Sequence, residues 1–218
     1  MSSEYIELDP NQIRDLRPLV LGLDGRMQVL PASFWASTTT HERAAFGNRT
    51  GIYGFPTVEL VERLRELIKG RSAIEIGAGN GVLAEALGIP GTDSFQQLMP
   101  LYRRIYERGN FTIVPYGPKV VEMHASRAVR HFKPDVVIGC WVTHKYDRKQ
   151  HARGGNEVGI DEPDILRHCS TYVFVGNEKV HRDTPLWDRE HVIEYPPYVF
   201  SRAHNGSRDF IATFRGYR

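Results

Sequence analysis

The stretch Glu75-Ile76-Gly77-Ala78-Gly79-Asn80-Gly81 decides the reading of this chain. It follows the short apolar run Ser72–Ile76 and opens an apolar helical segment, Val82–Leu87. In a doubly wound sheet the first strand-to-helix turn lies where ligands bind, outside the carboxyl ends of the strands. Glycines let such a turn tighten and let a ligand approach the backbone. The spacing is G-x-G-x-G, and Val82 stands where a dinucleotide fingerprint has its third glycine. No Gly-Lys-Ser/Thr of a phosphate-binding loop is present. Glu75, two residues before Gly77, would repel a pyrophosphate and attract an ammonium.

Working outward, Leu60, Val61, Leu64, Leu67 and Ile68 recur at helical spacing, with Thr57 as N-cap and Gly70 as stop. Downstream, the pattern predicts a short strand over Ile89–Asp93, a helix over Phe95–Tyr106 with Pro100 as kink or first turn, and a strand over Phe111–Val114. Val121, Ala125, Ala128, Val129 and Phe132 predict a further helix. Asp135–Trp141 reads as a central parallel strand, followed by a polar loop over 143–162, a short helix near 163–168 and a strand over 171–175. His191–Phe200 and Phe210–Phe214, around Asn205-Gly206, read as a closing antiparallel pair. Upstream, Leu19–Leu23 and Met27–Leu30 read as short strands around an Asp24-Gly25 turn. Alternating helices and strands imply an α/β sheet with helices on both faces.

The glycine segment resembles motif I of the class I S-adenosylmethionine-dependent methyltransferases, E/D-x-G-x-G-x-G, over all seven residues. The element order over 57–218 is similar to that family too. The resemblance implies a doubly wound, seven-stranded, mostly parallel sheet with a terminal antiparallel hairpin, Rossmann-like, and S-adenosyl-L-methionine as cofactor. It implies that Gly77, Ala78, Gly79 and Gly81 wrap the methionine part and that Glu75 faces its ammonium. Asp93, eighteen residues after Glu75, would hold the ribose hydroxyls. The segment Val114-Pro115-Tyr116-Gly117 lacks the acid that often meets the adenine amino group, and Tyr116 would stack on the ring instead.

Acceptor-side residues are expected from the ends of the fourth and fifth strands. His144 and Glu178 are candidate bases for removing an acceptor proton, with Asn177 and Trp141 as positioning groups. Residues 1–56 read as an N-terminal extension that closes over cofactor and acceptor as a lid, Tyr53 or Arg49 touching them, and 57–218 as the catalytic domain. Tyr195-Pro196-Pro197-Tyr198 is similar to an adenine amino-methyltransferase motif but stands at the wrong strand and begins with Tyr, so it reads as a bend. Neither Cys140 nor Cys169 follows a proline, as a cytosine C5 nucleophile would. His144, Asp147 and His151 fit no metal signature, and no metal is expected.

With 218 residues, 25% charged and a net charge of +2, the chain is neither disordered nor strongly basic. Its 22 Arg against 6 Lys add little. The two cysteines make no disulfide framework, and no apolar run is long enough for a membrane span. Met1–Asp9 shows no signal-peptide pattern, so a cytoplasmic protein is expected. These readings predict methyl transfer to an unidentified acceptor, a small molecule ahead of nucleic acid or protein. The alternatives are a non-catalytic protein that binds the cofactor as a scaffold, and another use of the cofactor such as its cleavage.

Overall fold

The structure, a computed structural model, describes residues 13–218. Met1–Asp9, read above as lacking a signal-peptide pattern, and the start of the N-terminal extension lie outside the described residues. Three helices, α1 (Arg17–Val20), α2 (Ala32–Ala36) and α3 (Thr40–Thr50), lead into a two-residue strand, β1 (Gly54–Phe55). Then follow α4 (Val58–Ile68), β2 (Ala73–Ile76), α5 (Val82–Leu87), β3 (Gly91–Asp93), α6 (Pro100–Arg108) and β4 (Val121–Glu122). The chain continues through α7 (Ala125–Phe132), β5 (Val136–Cys140), α8 (Glu162–Leu166), β6 (Thr171–Asn177), β7 (His191–Glu194), β8 (Phe200–Ser201) and β9 (Asp209–Arg215).

Seven strands form one sheet in the order β4-β3-β2-β5-β6-β9-β7. The first five are parallel neighbours, and β9 runs antiparallel to both β6 and β7. The order reverses between β2 and β5, so the glycine turn after β2 lies at the switch point. A second sheet pairs β1 with β8, Gly54 opposite Ser201 and Phe55 opposite Phe200.

Period-two alternation buries both faces of the sheet. Ile74, Ile76, Val137, Tyr172, Phe174 and Phe214 pack on one side. Val136, Ile138, Val173, Val175 and Ile211 pack on the other, against α4. Helix α4 contributes Leu60, Val61, Leu64 and Ile68 to that side, each worth about 1.5–3 kcal/mol when buried. Its start is fixed by Thr57, whose hydroxyl accepts the Leu60 N–H at 3.0 Å and donates to the Tyr198 carbonyl at 2.8 Å. A third cluster joins the N-terminal layer, with Trp35 stacked on Phe55 at 4.4 Å beside Phe46.

The sheet, its strand number and its closing antiparallel strands are as the sequence predicts. Four local readings differ. Leu19–Leu23 is not a strand: α1 ends there, and a single bridge joins Leu21 to Met27. The helix before β2 stops at Lys69, itself left-handed at φ 52°, one residue before Gly70. Phe111–Val114 is a loop, and the edge strand is β4, where the sequence suggests the start of a helix. The closing pair is β7 with β9, while Phe200 leaves it for the small sheet with β1.

Candidate functional site

The glycine turn is explained first by the chain itself. Gly77, Gly79 and Gly81 have φ of 63°, 52° and 71°, a region that strains any L side chain. A Cβ on Gly77 would stand 2.6 Å from Val142 Cγ1, and one on Gly79 would stand 3.2 Å from Val114 Cγ2. Asp93, at the end of β3, fastens the turn. Its Oδ2 accepts the Gly79 N–H at 3.0 Å and its Oδ1 the Phe95 N–H at 2.9 Å.

Above this turn a cavity of about 230 Å³ opens at the carboxyl ends of β2, β3 and β5. Glu75, Gly77, Ala78, Gly79, Asp93, Tyr116, Tyr53 and Trp141 all line it. Gly81 does not: it caps α5 and faces a second cleft beside Gly91 and Lys119.

Glu75 is what the chain leaves unexplained. It is 3% exposed, and in the sheet its neighbours are Ile138 and Gly91. It stands on the face that packs against α4, where the alternation calls for an apolar residue. Among the described residues its Oε2 has no hydrogen-bond partner. Burial pushes its carboxyl up to about 8, and the nearby Asp93 adds to the rise. A buried carboxylate with an open lone pair facing a cavity is matched by a cation. Asp93 is also raised by burial, against the backbone N–H bonds that hold its charged form.

The other wall is aromatic. The Tyr53 and Tyr106 hydroxyls meet at 3.2 Å. The Arg202 guanidinium lies 3.6 Å over the Tyr53 ring, and Trp141 stands 6.2 Å from it. Trp141 has φ 59°, unusual for a bulky residue, and its indole N–H has no partner. Its backbone N–H donates to the Val175 carbonyl at 2.9 Å. Gly54 of β1 presses against it: a Cβ there would stand 2.9 Å from Trp141 Cδ1. Tyr116 stacks on Phe95 at 4.3 Å, a protein partner for the ring that the sequence assigns to adenine. Its hydroxyl accepts the Gln97 N–H at 3.3 Å.

Three expected acceptor-side residues do not line this cavity. The His144 Nε2 donates to the Arg153 carbonyl at 3.0 Å, inside its own loop, and burial lowers its basicity. Glu178 is paired with Arg208 at 3.0 Å, and Arg208 in turn covers the Tyr195 ring at 3.6 Å. Asn177 is fully buried and ties the 205–209 turn: its Nδ2 donates to Asp209 Oδ1 at 2.9 Å and its Oδ1 accepts from Asn205 and Ser207. Arg49 is also absent from the wall and lies 3.8 Å from Asp15.

The sequence reading missed Gln97, Tyr106 and Asn156, all of which line the cavity. Gln97 Oε1 accepts the Val114 N–H at 2.8 Å and so holds the 111–117 loop in place. Tyr102 and Tyr106 lie four residues apart in α6, on one face, and that spacing was the available signal. Among the described residues no group of three His, Cys, Asp or Glu side chains could hold a metal, and no helix is long and apolar enough to cross a membrane.

The order and directions of the seven strands are those of the class I methyltransferase fold. The chain matches no protein-family model and no curated protein. Among solved structures it is similar to the Pyrococcus abyssi tRNA (uracil-54, C5)-methyltransferase in complex with S-adenosyl-L-homocysteine. Identity there is 21% and the TM-score 0.38, over 72% of this chain and 37% of that one. It is similar also to the precorrin 8w decarboxylase of Methanobacterium thermoautotrophicum, at 13% identity and TM-score 0.38, over 74% of this chain and 91% of that one. A third is the magnesium protoporphyrin IX methyltransferase of Synechocystis with bound S-adenosyl-L-homocysteine, at 13% and 0.34, over 72% and 82%. The chain spans little more than a third of the tRNA enzyme's length. Scores this low carry no argument about ligand or acceptor, which rest on the site itself.

Proposed function

We propose that the protein binds S-adenosyl-L-methionine in this cavity and transfers its methyl group to a small-molecule acceptor. The observation that carries the reading is Glu75, a buried carboxylate with an unpartnered oxygen, on the wall of a cavity shared with the glycine turn and Asp93. A ligand with a cationic amino-acid end would satisfy Glu75. A hydroxyl-bearing ribose would use the lone pairs that Asp93 does not spend on Gly79 and Phe95. When bound, the cofactor supplies an electrophilic methyl group on a sulfonium. Nucleoside triphosphates and dinucleotides fit less well, because a pyrophosphate would meet two carboxylates and, among the described residues, no cation on this wall.

Residues 51–57 would serve as the lid: Ile52, Tyr53, Gly54 and Pro56 already form part of the wall. The chain's part in the reaction is to hold donor and acceptor in line and to keep water out.

The test is calorimetric titration with S-adenosyl-L-homocysteine, using ATP and NAD as competitors of other classes. Micromolar binding of the homocysteine compound, lost in Glu75→Gln and Asp93→Ala, supports the reading. Absence of binding by the wild type sinks it. The scaffold reading has an observation in its favour too, since none of the expected bases reaches the cavity. Methylated product from any acceptor decides against it.

A further inference from the structure

With the cofactor placed on Glu75, the glycine turn and Asp93, the wall left for an acceptor includes Tyr53, Tyr106, Trp141, Thr143, Asn156 and Val158. No Lys, Arg or His lines any part of the cavity among the described residues, and its only carboxylates are Glu75 and Asp93. The nearest candidates for a cation and a base are engaged elsewhere. Arg202 is spent on the Tyr53 ring, and His144 on the Arg153 carbonyl. The Cys140 thiol, also on the wall, is held protonated by burial, with Glu75 adding to the effect.

We propose that the acceptor is a small planar aromatic molecule that carries no negative charge and is methylated on a nitrogen. The proposal rests on the S-adenosylmethionine reading above and adds the acceptor's chemistry to it. A carboxylate, phosphate or phenolate would enter a part-enclosed cavity with no counter-charge among the described residues, which low dielectric makes unfavourable. A flat aromatic ring instead finds aromatic surface from Tyr53, Tyr106 and Trp141.

The missing base points the same way. A neutral hydroxyl acceptor needs its proton taken during attack, and among the described residues no His or free carboxylate lines the acceptor side to do this. A nitrogen lone pair needs no prior deprotonation. The lone pair forms the new N–CH₃ bond as the C–S bond breaks, and the C–S electron pair leaves on sulfur, which becomes a neutral thioether. The positive charge passes to nitrogen, and any N–H proton is then lost to bulk water. Aromatic faces stabilise a cation growing at that position. An acceptor wall of rings with no cation among the described residues suits that charge and suits no anion.

The test uses protein saturated with S-adenosyl-L-homocysteine, whose own binding is measured first. Three probes are titrated by calorimetry at pH 7: quinoline as the neutral ring, 2-naphthylmethylamine as the cationic one and 2-naphthoate as the anionic one. Quinoline and the amine are expected to bind at least tenfold tighter than naphthoate. Tyr53→Ala should weaken both by about tenfold, and Tyr53→Phe should recover most of that loss, because the ring makes the surface. Circular dichroism and retained S-adenosyl-L-homocysteine binding establish that each variant is folded. Naphthoate binding as tightly as quinoline overturns the proposal, and so does failure of both uncharged and cationic rings to bind a protein that does bind S-adenosyl-L-homocysteine. Failure of S-adenosyl-L-homocysteine itself to bind overturns the parent reading, and this one with it.

Discussion

Asp93 Oδ2 accepts the backbone N–H of Gly79 at 3.0 Å, so the acid at the tip of β3 holds the glycine turn at the tip of β2. Its other oxygen holds Phe95 at 2.9 Å, and Phe95 carries Tyr116 on its ring. One carboxylate therefore sets the floor of the cavity and, through Phe95, the loop above it.

Asp93→Asn keeps the size and removes this double acceptance, because an amide nitrogen must then face one of the two N–H groups. Hydrogen bonds to a charged acceptor are worth about 1.5–3 kcal/mol each. The variant should therefore lose several degrees of Tm and bind S-adenosyl-L-homocysteine at least tenfold more weakly. Differential scanning calorimetry and titration read the two effects. Unchanged values in both would show that Asp93 supports neither turn nor ligand.

Glu75 should trade stability against binding. Its folded value of about 8 lies above its ordinary value of 4.5. In the free protein its contribution is full below pH 4.5 and is lost as pH rises through 8. A cationic ligand selects the ionised form, so affinity should rise about tenfold per pH unit between pH 5.5 and 7.5 and level off above 8. Glu75→Gln should flatten that profile, weaken binding and raise the Tm of the free protein at pH 8.5. A pH-independent affinity in the wild type would count against Glu75 as the cation's partner.

The legible part of this molecule was the part written in local chemistry. The glycine turn announced itself because three glycines stand between an apolar run and a helix, and all three take left-handed φ. β5 was visible because it is apolar on both faces. β4 was not, because it is two exposed residues long and has no period to detect. Phe111–Val114 looked like a strand, yet the Val114 N–H is taken by a Gln97 side chain and not by a neighbouring strand. His144, Asn177 and Glu178 stand away from the cavity, while Trp141 lines it, for a similar reason. Many polar residues follow β5 and β6, and nothing local says that Glu178 meets Arg208, or Asn177 meets Asp209, some thirty positions away.

Gly54 is where the segment proposed as a lid meets Trp141 and Cys140 at the end of β5. An added methyl would stand 2.9 Å from Trp141 Cδ1 and 3.2 Å from Cys140 Sγ. Gly54→Ala should push the lid off Trp141 and leave the core intact, since Phe55 keeps its stacking with Trp35. The expected readout is a shift in tryptophan fluorescence and a weaker grip on S-adenosyl-L-homocysteine by about tenfold, seen mainly as faster release. Unchanged release would place the lid elsewhere.

Away from the cavity, Glu162 gives a separate test of buried charge. It is 1% exposed, accepts the Thr184 hydroxyl at 2.5 Å and, among the described residues, leaves its Oε1 without a partner. Burial raises its carboxyl from 4.5 to about 8, so its stabilising contribution fades as pH rises through 8. His181 works in the opposite sense: burial lowers it from 6.5 to about 4, so it adds stability as pH rises from 4 to 6.5. The two overlap below pH 6.5, and between 6.5 and 8 the carboxyl acts without the histidine. Glu162→Gln keeps an acceptor for Thr184 and cannot ionise. Over that window the wild type should lose roughly 3–6 °C of Tm relative to the variant. Parallel Tm curves for the two proteins from pH 6.5 to 8 would mean that Glu162 is already ionised in the fold and has found a partner for Oε1.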